Sequence, residues 1–218
     1  MTRPLRLDDA LAGRLLLDHP FYRRWTRGEV SREELRAYAS QYRHFERALP
    51  GWLSTMALSD EPSLRAQALR NLADEAGGAV THLQLFERFA SALGAAEAEA
   101  SPAMARLCET YAAAARSAPH GFAALWAYES QSAAVSRTKA AGLRAHHGLD
   151  DGACAFWDVH ASVEDEHAAW AREALAGTED APATARAAAQ AWWSFLDERE
   201  AAYSAASTAS RSAGSALS

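Results

Sequence analysis

Apolar residues recur every three or four positions along most of the chain, which is the periodicity of α-helices that pack on a common core. Ser31 and Glu34 form a capping-box pattern, so a helix is predicted to begin there and to run to about Pro50 or just past it. No segment alternates apolar and polar residues over a useful strand length, and no internal repeat is present. The pattern predicts an all-α protein, a bundle of seven helices.

Prolines, glycines and capping residues set the other predicted boundaries. The first helix should run from residue 8 or 9 to 18, because the residue before Pro20 disfavours the helical conformation. The third should cover 61–93, with Gly77-Gly78 as a weak point that costs roughly 1 kcal/mol per glycine relative to alanine. The remaining four helices should begin near Ser101, Pro119, Asp150 and Pro182.

The composition is that of one packed domain. The chain has 218 residues, 49% of them hydrophobic, which is enough for a single core that we assign to 1–203. Residues 204–218 are rich in Ser and Ala and should form a disordered tail. The net charge of −6 argues against nucleic acid as a partner, and a homodimer is an expected assembly.

Several features predict a cytoplasmic protein. No run of 18 apolar residues is present, so no membrane-spanning helix is expected. Asp8 and Asp9 precede any apolar run, which is unlike a signal peptide. Cys108 and Cys154 have neither metal-type spacing nor a disulfide-rich context, so both should be free thiols in a reducing compartment.

Two groups of metal-ligand residues have helical spacing. His160, Glu164 and His167 stand at positions i, i+4 and i+7, which lie on one stripe of a helix. Glu75 and His82 are likewise seven residues apart. A lone buried histidine is more often a core residue than a ligand, and a lone glutamate is usually solvated. Two facing stripes, however, would bury imidazoles and carboxylates together. This burial would cost several kcal/mol of folding free energy, and a bound metal would remove that cost.

Glu129 supplies the carboxylate that these stripes lack, because it lies among apolar neighbours on another predicted helix. Three imidazoles and three carboxylates would then hold two metal ions and leave positions open for dioxygen and substrate. Such a mixed set suits Fe/Fe or Fe/Mn better than zinc or calcium. A ferritin-like site needs two Glu-x-x-His motifs, and the chain has only Glu164-x-x-His167.

The chain resembles the heme-oxygenase-like diiron oxidases in its ligand pattern and in the segments 19–30 and 35–39. The likeness covers about 10–200 and implies a bundle like those of thiaminase-II and pyrroloquinoline-quinone synthase. Within this family the chain is most similar to the self-sacrificing 4-aminobenzoate synthases, a group that includes the chlamydial protein associating with death domains. That group commonly has Asp at the position of Glu164, so the longer side chain here affects metal spacing or preference.

The resemblance also implies roles for residues outside the ligand set. Tyr22 matches the tyrosine whose side chain is the aromatic precursor, and Lys139 matches the lysine proposed to donate the amino nitrogen. Dioxygen and an external reductant would be required. Tyr38, Tyr42 and Tyr128 are candidates to line the pocket.

Two other functions stay open at this stage. A related diiron oxidase would act on an external amino acid or fatty acid by N-oxygenation, desaturation or C–C cleavage, with Tyr22 and Lys139 as ordinary lining residues. A non-enzymatic binding or regulatory module would have no use for six buried ligands. On residue type alone, Tyr22 could simply pack the bundle and Lys139 could be a solvated charge.

Overall fold

The computed structural model describes the backbone of residues 6–175 and 178–215; side chains 8, 163–171, 173, 174 and 206–215 lie outside the description. The all-α prediction is confirmed, because the described residues form eight α-helices and no strand. Two short 3₁₀ helices, Asp8–Leu11 and Leu16–Asp18, precede them. The helices are α1 Pro20–Thr26, α2 Arg32–Met56, α3 Pro62–Ala76, α4 His82–Leu93, α5 Pro102–Ala115, α6 Ala118–His147, α7 Asp151–Ala174 and α8 Ala181–Ser215.

The N-terminal region differs from the prediction of a first helix over 8–18. Those residues contain the two 3₁₀ turns, separated near Gly13, which has a φ of 69°. The first α-helix instead begins at Pro20, because the side chain of His19 accepts a hydrogen bond from the Phe21 N–H. Proline at the first helical position needs no backbone donor and its φ already suits a helix. His19 therefore begins a helix, whereas the sequence analysis placed a helix end before it.

The predicted third helix is two helices, and this raises the count from seven to eight. Gly77 ends α3, and Gly78 has a φ of 78°, a conformation that glycine adopts without strain. Thr81 then caps α4 in a capping box with Gln84, in which each side chain accepts from the other residue's backbone N–H. The glycine pair thus breaks the chain into two successive helices, both packed on α2, and is not a weak point inside one helix.

Helix α2 runs to Met56, further than the sequence indicated, and continues through Pro50. The predicted capping box of Ser31 and Glu34 is confirmed. Helix α8 is helical over 204–215, where composition predicted a tail; the division into a domain over 1–203 and a disordered tail stays a prediction.

Helix α6 is the centre of the bundle and packs most extensively against α7 and α8. Two glycines allow other elements to approach it closely. A Cβ atom at Gly121 would lie 2.5 Å from the Met56 sulfur, and one at Gly142 would lie 2.7 Å from the Trp25 ring. These close approaches bring α2 and α1 against the helix that carries Glu129 and Lys139. None of the helices in the described residues is long and apolar enough to cross a membrane.

Candidate active site

Three predicted ligands meet in the interior of the bundle. Glu75, His82 and His160 each place a possible ligand atom within 4.8 Å of the others. Nδ1 of His82 lies 3.0 Å from Oε2 of Glu75, and the rings of His82 and His160 have centroids 4.7 Å apart. The side chains of Glu75 and His82 are only 11% and 10% exposed. This is a buried mixed carboxylate and imidazole cluster from three different helices.

The local fold explains how Glu75 and His82 meet. Glu75 is the second-last residue of α3, and His82 is the first residue of α4. The break between these helices, made by Gly77 and Gly78 and followed by the Thr81 cap, brings the two residues side by side. The expectation that they share one helical stripe is therefore wrong, although the contact that it predicted is present.

His160 presents one ring nitrogen to the cluster. Its Nδ1 donates a hydrogen bond of 2.8 Å to the carbonyl oxygen of Phe156, so the neutral ring carries its lone pair on Nε2. Burial lowers the pKa of His160 to about 4, against the opposing effect of Glu75. A neutral imidazole that is fixed by a backbone carbonyl is the form that binds a transition metal.

The pKa of His82 is raised, whereas that of His160 is lowered. Burial lowers this pKa, but the adjacent carboxylates of Glu75 and Asp74 outweigh burial and raise it overall. The close contact with Glu75 does not have hydrogen-bond angles, so Nδ1 has no hydrogen-bond partner among the described residues. The imidazole of His82 and the carboxylate of Glu75 therefore approach each other without a hydrogen bond. Two ligands of one metal ion have the same arrangement.

Glu129 of α6 adds a second carboxylate beside this cluster. Its Oε2 is buried and has no hydrogen-bond partner among the described residues. Burial, and then the negative charge of Glu75, raise its pKa. An orphaned carboxylate oxygen next to a second carboxylate costs free energy unless a cation lies between them. The donor set therefore fits a metal centre. The side chains of Glu164 and His167, the other two predicted ligands, lie outside the described residues.

Lys139 lies in a pocket of aromatic rings. It is fully buried, and its Nζ has no hydrogen-bond partner among the described residues. The amine is 3.8 Å from the ring centroid of Trp157, 4.9 Å from that of Tyr42 and 5.5 Å from that of Tyr22. Burial holds the pKa of Lys139 well below its usual range. The interpretation of Lys139 as a solvated charge is therefore wrong, because the amine is enclosed.

One sequence feature gives Lys139 further weight. It is the only lysine in the 218-residue chain, and every other residue of the lysine and arginine total is an arginine. Lysine is almost never fully buried unless it is paired. The burial of the chain's single lysine makes its amine a candidate functional group.

Tyr22, Tyr38 and Tyr42, whose rings face this amine, belong with Tyr128 to two hydroxyl pairs. The hydroxyls of Tyr22 and Tyr38 are 3.2 Å apart, and those of Tyr42 and Tyr128 are 2.8 Å apart. All four rings are buried. Burial is the main cause that raises the pKa of Tyr22, so its phenol is protonated at neutral pH.

The docking of α1 on α6 brings Tyr22 towards Lys139. Trp25, one turn after Tyr22, packs on Gly142 and donates from its indole N–H to the backbone carbonyl of Lys139 at 3.3 Å. Trp157, which covers the amine, precedes His160 by one turn on α7. The lysine pocket and the Glu/His/His cluster therefore share a wall.

Sequence reasoning missed Glu46, a buried carboxylate of α2 that is 4% exposed. It follows Tyr38 and Tyr42 at intervals of four residues, so it lies on the same face of the helix. Burial, and then the charge of Glu75, hold its pKa well above the usual range, while Lys139 lowers it. The sequence signal for its burial was this spacing, which places Glu46 on the helix face that carries Tyr38 and Tyr42.

A helical bundle that gathers two histidines and carboxylates around an interior pocket belongs to the class of helical metalloenzymes. Residues 36–200 match the model of a family described as iron-containing redox enzymes, of the haem-oxygenase type. The chain therefore belongs to this family, as the resemblance predicted, and it is an oxidoreductase. Family membership favours an enzyme over the binding module considered from the sequence.

The chain is also similar in sequence to proteins that are named for an activity. The chain is 36% identical to a 4-aminobenzoate synthase of Nitrosomonas europaea, over 88% of each chain. It is 32% identical to a 4-aminobenzoate synthase of Chlamydia pneumoniae, over 78% of this chain and 79% of the relative.

Solved structures confirm the predicted heme-oxygenase-like fold. A CADD-like protein of unknown function from Nostoc punctiforme has a TM-score of 0.68 at 19% identity, over 88% of this chain and 96% of that one. A TenA homologue from Pseudomonas syringae has a TM-score of 0.74 at 14% identity, over 88% and 90%. These likenesses concern the fold alone.

Proposed function

We propose that this protein makes 4-aminobenzoate in a dioxygen-dependent reaction that consumes its own Tyr22, with Lys139 as the amino donor. The observation that carries the proposal is the burial of the chain's only lysine amine 5.5 Å from the Tyr22 ring centroid, beside a Glu/His/His cluster. Two relatives that match most of the chain are named 4-aminobenzoate synthase. The ring of tyrosine has substituents at opposite positions, as 4-aminobenzoate does.

The metal centre would be held by Glu75, His82, Glu129 and His160, with Glu164 and His167 as the remaining proposed ligands. Carboxylate and imidazole donors suit an Fe/Fe or Fe/Mn pair. The bound metals would supply the oxidising chemistry of dioxygen, with electrons from an external reductant.

Tyr22 is held as a protonated phenol by the interior of the bundle. Its hydroxyl and that of Tyr38 form a hydrogen-bonded pair, which holds the phenol oxygen in place. The ring of Tyr22 also meets Phe21 edge-on, with centroids 5.6 Å apart, which fixes its orientation. Tyr42 and Tyr128 form the neighbouring pair and complete the lining.

Lys139 can act as a nitrogen donor only without its proton, because an ammonium nitrogen has no lone pair. Burial is the main cause that lowers its pKa and favours the neutral amine. The rings of Trp157 and Tyr42 exclude water from the amine, and so protect the reacting groups from hydrolysis and stray proton transfer.

The direct experiment needs no added organic substrate. Purified protein is loaded with iron, or with iron and manganese, and exposed to a reductant and dioxygen; 4-aminobenzoate is then measured by mass spectrometry. The proposal predicts at most one product molecule per chain and a matching loss from the intact protein mass. A related oxidase acting on an external amino acid or fatty acid would leave the protein mass unchanged and give no aromatic amine. A cytoplasmic location, a homodimer and the absence of nucleic acid partners remain proposals beside this one.

A further inference from the structure

Two buried polar side chains hold helix α1 on either side of Tyr22. They are His19, three residues before Tyr22, and Arg24, two residues after it. Nδ1 of His19 accepts a hydrogen bond from the Phe21 N–H, so the neutral ring carries its proton on Nε2. This Nε2 donates to the carboxylate of Asp197 at 3.1 Å. The start of α1 is thereby tied to α8.

Arg24 ties the other end of α1 to three parts of the chain. Its Nε donates to the Glu200 carboxylate at 3.0 Å, and its Nη1 donates to the backbone carbonyl of Glu29 at 3.1 Å. Its Nη2 donates to the carboxylate of Glu34 in the first turn of α2. The ring of Tyr203 covers the guanidinium, with its centroid 3.8 Å from Cζ. A planar guanidinium can meet all these partners at once, whereas the compact ammonium of a lysine cannot.

The α8 partners of these two anchors lie on one stripe of the helix, at intervals of three or four residues. They form the α8 clasp, which consists of Trp193, Asp197, Glu200 and Tyr203. Trp193 meets the ring of His19 edge-on, with the two centroids 4.7 Å apart. Helix α1 is therefore held on α8 through the clasp and on α6 through the contact of Trp25 with Gly142.

We propose that Arg24 is a positioning residue for the reaction, through which the α8 clasp fixes α1 so that the Tyr22 ring faces the Lys139 amine. The separation of 5.5 Å between this amine and the ring centroid depends on where α1 lies, because α1 carries the ring and α6 carries the amine. A displacement of about 1 Å can slow a reaction between two held groups by about 100-fold. The consequence for product formation rests on the proposed function, but the anchoring of α1 does not.

Arg24→Gln and Arg43→Gln are a matched pair of variants. Both arginines are buried, with 8% and 4% of their surface exposed, and both donate to carboxylate and backbone carbonyl oxygens. The polar partners of Arg43 among the described residues all lie within 87–97, in α4 and the loop after it. A general loss of stability should therefore appear in both variants, whereas a displacement of α1 should appear only in Arg24→Gln.

The first measurement is the ratio of 4-aminobenzoate formed to dioxygen consumed, in protein loaded with iron and supplied with a reductant. In Arg24→Gln this ratio should fall at least tenfold, because dioxygen is still reduced while the Tyr22 ring is misplaced. Arg43→Gln should keep the wild-type ratio, and both variants should bind as much metal as wild type. A wild-type ratio in folded Arg24→Gln would overturn the proposal, and so would an equal fall in both variants.

The second measurement is backbone hydrogen exchange of the peptide that covers α1, followed by mass spectrometry. Exchange should be at least tenfold faster in Arg24→Gln than in wild type and unchanged in Arg43→Gln. An unchanged rate in Arg24→Gln would overturn the anchoring. If Arg24→Gln does not fold, Glu200→Gln removes one partner of Arg24 and should change both measurements in the same directions; wild-type values for both would overturn the proposal. Absence of product from wild-type protein would instead refute the proposed function, which the exchange measurement does not use.

Discussion

The hydroxyl pair of Tyr22 and Tyr38 allows a matched test of which ring is consumed. Tyr22→Phe and Tyr38→Phe each remove the same buried contact of 3.2 Å and keep a ring of nearly the same size. A typical hydrogen bond contributes about 1 kcal/mol, and the hydroxyl left behind adds the cost of an unpaired buried group. Both variants should therefore lower the free energy of unfolding by similar amounts, about 1–2 kcal/mol.

For a domain of this size, that loss corresponds to a fall in melting temperature of roughly 2–8 °C, measured by circular dichroism. Product formation should separate the two variants. Tyr22→Phe should give no 4-aminobenzoate and retain its full intact mass, whereas Tyr38→Phe keeps the precursor ring and should still give product, in reduced yield. Metal content should equal that of wild type in both. Wild-type yield from Tyr22→Phe would refute the assignment, and an unchanged melting temperature in both would refute the hydrogen-bond argument.

Three further predictions concern the rest of the site. His82→Ala should strongly reduce the metal bound after iron loading, measured by elemental analysis, while the helical circular dichroism survives; full metal content would exclude His82 as a ligand. Lys139→Arg should abolish product although it keeps the positive charge, because a guanidinium does not lose its proton in proteins; product from this variant would exclude the lysine amine. Gly78→Ala and Gly148→Ala place alanine at similar positive φ angles, so each should cost about 1–2 kcal/mol of stability. Only Gly78→Ala, in the loop between Glu75 and His82, should also weaken metal binding in an equilibrium titration; equal metal affinity of the two variants would contradict the role of that loop.

Local signals in the sequence predicted most of the helices correctly. Capping boxes, prolines and positive-φ glycines act within a few residues, so they can be recognised without knowledge of the fold. Ser31, Ser101 and Asp150 each cap the helix that follows. The same kind of signal was misjudged at Gly77-Gly78, because a glycine pair can weaken a helix or end it, and the Thr81 capping box that decides the matter was not weighed.

The contacts within the site were harder to predict, because they depend on how distant helices pack. Glu75 and His82 were predicted as neighbours from a helical spacing, which has no meaning across the break between α3 and α4. The approach of Tyr22 to Lys139 depends on Gly142, which lets Trp25 of α1 pack closely on α6. Glu46 was missed because a single glutamate on a helix is usually solvated, and only the packing of α2 shows that it is buried.

The measurement that tests the central claim most directly is isotope transfer from the chain to its product. Protein is produced with carbon-13 in its tyrosine rings and nitrogen-15 at the ε position of lysine, then loaded with metal and exposed to reductant and dioxygen in unlabelled buffer. Because Lys139 is the only lysine, any nitrogen-15 in the product must come from it. We predict that the 4-aminobenzoate released carries both the labelled ring and the labelled nitrogen. An unlabelled product would show that the substrate is external and would contradict the account.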